Sequence, residues 1–564
     1  MSKYVLLSDD TLIYDYRNFP LLDFLPCAPS WSMPESAYLF LKGKVSPPVD
    51  GGRLKYAPYA LRKLEAALLK RHAPNDVAVV HPDYMDSFIK DDTEIIAVTT
   101  MDPFGLGPTT MSYFAMYEAI SQGHQLSAFV RKDWDRLMEK ISALRKGKKA
   151  KLVVGGPGVW EYMLLPEEIE KHGIDYLFQG ETDDIVPELF DQIASNSLDG
   201  NMFSHSYITY DESFHRIVKD DNRFLSRGKG LKTFPSLDSI PDIVNPSMKG
   251  LTEAMRGCGI GCDFCEVTLR ELRYYPVEKV VKELRVNVEK GNTTQAWLHS
   301  DEIFAYKHLP RYVPNEEALI ELFTAIMSIK GIKTTNPTHG RISIPAAYPN
   351  LIEKLSKVMK AGPHNYIGIQ VGLETGSDSL ALRHMPAKTL PLRIGSDGTW
   401  QEIVWKGVYN FNKYYWRPAF TVQVGQSDET DDDNWDTVAL INRLSNSVCD
   451  GRPFEFTVTP LLNVPLGRIK SKSIDARLSK SMLAVYCASY RHLAKIANRD
   501  ALRDSTGNIA VKLGTAAMIS IGGTMMYSKV KGIAEKQGVD IEKTITHGIG
   551  RKREITAWSI ATNS

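Results

Sequence analysis

Cys258, Cys262 and Cys265 stand in the run Arg256-Gly257-Cys258-Gly259-Ile260-Gly261-Cys262-Asp263-Phe264-Cys265. Three thiols on so short and glycine-rich a loop can converge on one inorganic centre. Closed zinc and iron–sulfur sites take four protein ligands, whereas three thiolates leave one iron of a [4Fe–4S] cluster without a protein ligand. An open iron can bind a substrate. The competing readings are a zinc knuckle short of one ligand, or three buried thiols. The nearest downstream histidines, His299 and His308, lie far outside compact zinc spacing.

The chain of 564 residues is too long for one ordinary core and is expected to hold several domains. Lys plus Arg number 68 against 67 for Asp plus Glu, so the net charge of +1 gives no general electrostatic case for nucleic acid or a membrane surface. The other cysteines, Cys27, Cys449 and Cys487, are scattered, which is not a secreted disulfide framework. No apolar run reaches the length of a membrane span, and the first residues lack the order of a signal peptide. A cytoplasmic location is the expectation, and the apolar stretch Gly514 to Tyr527 is read as a buried helix or tight hairpin.

An α/β fold is expected. Residues 1–56 read as an N-terminal wrap, with a hairpin of Tyr4–Leu7 and Leu12–Tyr16 followed by Pro-rich loops. Residues 57–200 alternate helices with short apolar strands at Asp76–His81, Glu94–Thr100, Lys151–Gly155 and Tyr176–Phe178, the pattern of a doubly wound parallel sheet. Such a sheet binds ligands beyond the carboxyl ends of its strands. The loops there, Met101-Asp102-Pro103-Phe104-Gly105-Leu106-Gly107 and Gly155-Gly156-Pro157, have glycines that admit a large flat ligand. After a linker, 201–245, comes a core of 246–470, then a mostly helical region of 471–564 with a basic tip at Arg551–Arg553. His492, on the helix Ser479–Arg499, reads as a core or surface group.

The cysteine spacing and its Arg-Gly-Cys lead-in resemble the radical S-adenosylmethionine (SAM) superfamily. Lys-Leu-Val-Val-Gly-Gly-Pro at 151–157 and Ile-Asp-Tyr-Leu-Phe-Gln-Gly-Glu at 174–181, placed before that loop, resemble the class B methyltransferases with an N-terminal cobalamin (B12) domain. The resemblance implies a flavodoxin- or Rossmann-like cobalamin domain followed by a partial (β/α)6 barrel. It implies three cofactors: a [4Fe–4S] cluster on Cys258, Cys262 and Cys265, SAM, and cobalamin. SAM would meet Asp301 and Glu302 after the strand Gln295–His299, Arg341 in a strand Arg341–Ile344, Glu374 after Ile367–Leu373, and Gly425 after Phe420–Val424; a sixth strand is expected at Phe454–Thr459. Cobalamin would meet Met101, Asp102, Phe104, Gly105, Gly107, Gly155, Gly156, Pro157, Gly180 and Glu181. The Asp-x-His-x-x-Gly motif is missing, and His81 lies in His-Pro-Asp-Tyr, so no histidine is expected on cobalt.

The implied activity is C-methylation of an unactivated sp3 carbon through a 5′-deoxyadenosyl radical and methylcobalamin. The implied partners are a protein or peptide substrate, best matched to a glutamine of methyl-coenzyme M reductase, or a small molecule. An electron donor such as ferredoxin or flavodoxin is also implied, with no nucleic acid and no membrane. Rearrangement or cyclisation of a small metabolite is the alternative.

Overall fold

The computed structural model describes residues 2–18, 20–118, 127–200, 202–205, 223–227, 232, 234–464, 466, 477–504 and 508–549. The basic tip at Arg551–Arg553 lies outside them.

The first sheet begins earlier than the sequence suggests. Tyr4–Ser8 is a fully buried strand lying parallel between Val77–Val79 and Ile95–Thr99, with no hairpin to Leu12–Tyr16. Its run Tyr-Val-Leu-Leu is apolar on both faces, which suits a central parallel strand and not a hairpin arm with one wet face. Lys151–Gly155 and Tyr176–Gln179 continue the parallel order. Phe224–Arg227 and the antiparallel edge Phe203–His205 complete seven strands, so the sheet reaches into the segment expected to be a linker. Helices pack on both faces and two separate apolar cores flank the sheet.

The second unit is a curved set of parallel strands. Leu251–Glu253, Gln295–His299 and Thr334–Pro337 pair in one group, and Ile367–Glu374, Trp416–Val424 and Thr457–Leu462 in another. A parallel bridge from His339 to Gln370 links the groups, giving the order of a six-stranded partial barrel. The third strand is Thr334–Pro337; the expected Arg341–Ile344 instead leads into the helix Ser343–Ala347, a start that Pro345 suits. The sixth strand falls three residues later than expected, at Thr457–Leu462.

A buried carboxylate joins the two units. Glu283, on the barrel helix Val277–Glu289, accepts hydrogen bonds from Tyr59 Oη (2.6 Å), Thr252 Oγ1 (2.7 Å) and the Ile243 N–H (3.1 Å), and pairs with Lys63. Tyr59 and Lys63 belong to the sheet-domain helix Tyr59–Leu68. Removing one partner of such a pair strands the other charge in the interior, so the docking is fixed. On another flank, Ser112 Oγ accepts a hydrogen bond from the Leu462 N–H at 2.6 Å.

Behind the sixth strand packs the helix Lys480–Asp504. His492 is buried there, hydrogen-bonded to Ser445 Oγ and the Phe456 carbonyl and stacked on the Phe456 ring. The helix Ile509–Lys536 covers that helix on its outer side. It is not the buried element expected from its composition: within Gly514–Tyr527 only Thr515 and Ala516 are buried, and Ile521 and Met525 face solvent.

Candidate functional site

The cysteine loop follows the first barrel strand. Gly257, Gly259 and Gly261 have φ of 77°, 69° and 83°, so the loop coils with every second residue left-handed. A Cβ at Gly257 would lie 2.6 Å from the Glu271 carbonyl oxygen, and one at Gly259 2.6 Å from Tyr312 Oη. Only glycine combines that backbone with that closeness. The Gly257 N–H donates to Asp301 Oδ2 at 2.6 Å, tying the loop to the end of the second strand.

Cys258 and Cys262 are buried and Cys265 is half-buried. Burial, reinforced by the neighbouring thiols, pushes Cys258 up to about 12 and Cys262 up to about 11. Three thiolates so close would repel one another, and bound metal ions would offset that penalty. Lys388 lies within electrostatic reach of Cys262 and Cys265 and donates to Glu374 Oε1 at 2.8 Å. His384 clamps the loop from outside, its Nδ1 2.8 Å from Asp263 Oδ2 and its Nε2 2.8 Å from Asp428 Oδ1. Burial alone would lower the His384 pKa, but the two carboxylates hold it above its usual value.

Glu374 closes the fourth strand with φ of 62°, a strained conformation for a residue with a side chain. Its Oε2 is buried without a partner. An orphaned carboxylate oxygen costs about 1–3 kcal/mol, and a donor such as an ammonium or a ribose hydroxyl would satisfy it. The residues present therefore fit a cluster on the three thiols with SAM beside it.

The opposite wall comes from the sheet. Asp102 accepts from the Gly107 N–H (2.8 Å) and Thr110 Oγ1 (2.5 Å), folding the Met101–Thr110 loop onto itself. Glu161 is fully buried beneath it; its Oε2 accepts from the Phe104 N–H at 2.7 Å and its Oε1 has no partner. Burial, then the charge of Asp102, pushes Glu161 well above the usual carboxylate range. With the Phe104 and Gly107 amides tied inward, the loops present Met101, Pro108 and Pro157 to the cavity beside Asp102 and Thr109. Gly156 has φ of 102°, and a Cβ there would meet the Thr100 carbonyl oxygen at 2.5 Å.

Between the walls lies one cavity of about 970 Å³, at the upper end of the volumes small ligands fill. Its sheet wall includes Met101, Asp102, Gly107, Gly155, Gly156, Pro157, Gly180 and Glu181; its barrel wall includes Cys265, Asp301, His299 and Glu253. A large flat ligand on the glycine loops would face the cysteine loop. Among the described residues, the sheet wall carries no histidine: His81 is buried off the cavity, its Nδ1 accepting from the Asp83 N–H. The residues present thus fit a cobalamin bound by shape.

The walls meet at Arg256. Its Nη1 donates to Glu181 Oε2 (2.6 Å) and Asp183 Oδ2 (2.9 Å), and its Nε and Nη2 donate to Glu253. Arg273 donates to Glu181 Oε1 at 2.7 Å. Burial alone would raise the Glu253 pKa, but Arg256 and His299 bring it down to about 2.

Of the other residues singled out from the sequence, Glu302 and Arg341 form a buried pair at 3.4 Å, and neither lines the cavity. Phe104 is buried against Tyr162 under the loop, and Gly105 lies in the same turn. The Gly425 N–H donates to Glu429 Oε1 at 3.1 Å, forming the turn after the fifth strand. Sequence reasoning missed Glu253, Arg256, His299, Glu161 and Lys388 as parts of the site. Strand-end position signals the first three; nothing local marks the other two. A separate cluster of Asp135, Glu168 and His172 is already neutralised by Arg131 and Lys171, which leaves no free charge for a cation.

Residues 252–441 match the family model of the Radical SAM superfamily. No curated protein matches the chain in sequence. The radical SAM methyltransferase TsrM from Kitasatospora setae, solved with tryptophan substrate and the SAM analogue aza-SAM, is 14% identical over 81% of this chain and 73% of that one, with a TM-score of 0.49. The cobalamin-dependent SAM radical enzyme OxsB, solved with aqua-cobalamin and SAM, is 12% identical over 100% of this chain and 79% of that one, with a TM-score of 0.53. The segment carrying the cysteine loop and most of the barrel thus matches the Radical SAM superfamily, and the chain as a whole shares the fold of OxsB.

Proposed function

We propose that this protein is a cobalamin-dependent radical SAM methyltransferase that places a methyl group on an unactivated sp3 carbon. A residue of a protein substrate is the favoured target, with a glutamine of methyl-coenzyme M reductase as the leading candidate. The observation that carries the reading is the single cavity with glycine loops on one wall and Cys265 with Asp301 on the other. The superfamily match over residues 252–441 supports it.

Cys258, Cys262 and Cys265 would hold the [4Fe–4S] cluster, Glu374 and Asp301 would face SAM, and the Met101–Thr110 and Gly155–Pro157 loops would hold cobalamin. When bound, the cluster with SAM supplies one-electron chemistry and cobalamin supplies a transferable methyl group. The chain's own work is positional. The coiled cysteine loop, held by Asp301 and His384, fixes the thiols; Glu374 offers Oε2 to a cationic or hydroxylic ligand; Arg256 locks the walls at one spacing, which a reaction between separately held groups requires. Apolar walls such as Trp160, Phe178 and Leu466 exclude water and competing hydrogen donors. A ferredoxin or flavodoxin would deliver the electron.

Anaerobic protein reconstituted with iron, sulfide and cobalamin, given SAM labelled in its methyl group and glutamine-containing peptides, tests the reading by mass spectrometry. A labelled methyl on peptide carbon is expected. Conversion to a rearranged product without methyl gain contradicts it.

A further inference from the structure

The cysteine loop has an outer face as well as a cavity side. Gly259 and Gly261 are exposed, and a Cβ at Gly261 would meet nothing within 4 Å, so the loop shows bare backbone to solvent there. Tyr312 leans on this face, its Oη donating to the Gly259 carbonyl at 2.5 Å, one residue from Cys258.

Tyr312 ends a short loop that starts at Lys307. The His308 ring stacks on the Tyr312 ring with centroids 4.5 Å apart, and Arg341 donates to the Tyr312 carbonyl at 3.3 Å. Lys307, Arg311 and Tyr312 have φ of 47°, 62° and 57°. Left-handed backbone in residues with side chains is strained, and such strain clusters where another molecule is gripped. The loop turns Lys307, Leu309, Pro310 and Arg311 outward, with Leu309 47% exposed. No acid stands from Ile303 to Asn315, and among the described residues neither Lys307 nor Arg311 meets a carboxylate. The acids of the cysteine loop are answered within the fold, Asp263 by His384 at 2.8 Å and Glu266 by Arg270 at 3.4 Å. An apolar tip flanked by two unopposed cations therefore stands beside the bare backbone of the cysteine loop.

We propose that the Lys307–Tyr312 loop is the docking surface for a small acidic protein carrying a one-electron centre, which reduces the cluster through this outer face. The inference rests on the reading of the three thiols as a cluster site. Electron transfer falls off steeply with distance, and glycine backbone lets a partner come closer than side chains would allow. SAM and cobalamin would fill the cavity side, which leaves the outer face for the carrier. One electron passes from the carrier to the cluster, so the carrier is oxidised, the cluster is reduced, and no bond forms or breaks. Redox encounters bury little surface, under about 1,200 Å², and take their speed from complementary charge. A short loop with two cations meets that need.

Stopped-flow mixing of the anaerobic, cluster-loaded chain with an acidic flavodoxin in its hydroquinone form, at low ionic strength, tests this. Lys307→Glu with Arg311→Glu should slow the second-order reduction by about tenfold and flatten its fall with salt. Cluster absorbance and SAM cleavage driven by dithionite should stay at the wild-type level. Lys307→Gly with Arg311→Gly, which left-handed backbone accepts, should slow the reduction severalfold even if reversed charges unsettle the loop. Lys146→Glu with Lys149→Glu, an equal change of charge before the strand Lys151–Gly155 and so at the opposite end of the sheet from the cavity, should leave it unchanged. A wild-type cluster that the flavodoxin does not reduce, a rate indifferent to Lys307 and Arg311, or a rate lowered as much by the Lys146 and Lys149 pair overturns the docking surface. A chain that takes up no cluster overturns the reading of the thiols along with it.

Discussion

The two walls of the cavity hold ligands by different physics. The barrel wall offers named atoms: the Cys265 thiol and the carboxylates of Glu253 and Asp301, fixed by Arg256 and the Gly257 amide, while Cys258, Cys262 and Glu374, whose Oε2 has no partner, are buried. The sheet wall ties its loop amides onto Asp102 and Glu161 and offers mainly the contour of its glycines and prolines, with polar side chains such as Gln179 and Thr182 among them. Atom-by-atom recognition fails abruptly when one atom goes, while recognition by shape fails by degrees.

The largest effect should follow loss of one thiol. Cys258→Ala, Cys262→Ala or Cys265→Ala should each abolish cluster absorbance and SAM cleavage, because no fourth cysteine stands nearby. Cobalamin binding should survive. Loss of cobalamin together with the cluster would show that the walls do not act separately.

Next is the joint. Arg256→Ala leaves Glu253 and Asp183 without their main partner, and breaking a buried pair costs about 3–5 kcal/mol. Urea denaturation of the variant should show a loss of that size, with a lower limit set by the half of Glu181 that Arg273 retains.

Glu374→Gln keeps shape and removes charge. A charge-assisted hydrogen bond is worth about 1.5–3 kcal/mol, so SAM affinity should fall about tenfold to a hundredfold with the cluster intact. Unchanged SAM binding, read by calorimetry, would make the Lys388 pair the residue's whole role.

These differences also explain what the sequence disclosed. The cysteine loop was legible because its spacing and its glycines are written in consecutive residues, and the fourth strand because its apolar alternation is hard to mistake; the fifth was caught only from Phe420, although it starts at Trp416. Tyr4–Ser8 was misread because a five-residue run between polar turns suits a hairpin arm as well as a central strand, and only its neighbours at Val77 and Ile95 decide. The third strand, Thr-Thr-Asn-Pro, has no apolar alternation at all and takes its place from the strands beside it. Glu161 and Lys388 belong to the site through contacts 57 and 14 residues away in sequence. The helix Ile509–Lys536 looked buried because composition reports how apolar an element is and not what covers it.

On the sheet wall, Gly156→Ala should push the backbone off the Thr100 carbonyl at a cost of about 1–3 kcal/mol. Cobalamin affinity, followed by absorbance titration, should fall by about tenfold while SAM binding holds. An equal fall in both would merge the two walls into one.

The smallest effect concerns pH. Burial pushes Asp9, which accepts from Thr100 Oγ1 inside the sheet domain, up to about 7, whereas Arg256 and His299 bring Glu253 on the barrel wall down to about 2. The stability that Asp9 contributes as a neutral acid is present below its unfolded value near 4 and is lost as pH rises through 7. Glu253 contributes above its unfolded value near 4.5 and loses that contribution as pH falls through 2. Melting temperature should therefore slope down from about pH 4 to 7, and Asp9→Asn should flatten that slope. A variant with the wild-type slope would assign it elsewhere.

One cavity shared by both groups is the central claim, and electron paramagnetic resonance of the anaerobic chain, loaded with cob(II)alamin and a reduced cluster, tests it most directly. The account predicts dipolar broadening of the cobalt signal that disappears in Cys265→Ala, with no strong nitrogen splitting from a protein histidine. A cobalt signal identical with and without the cluster would place the two groups in separate sites and contradict it.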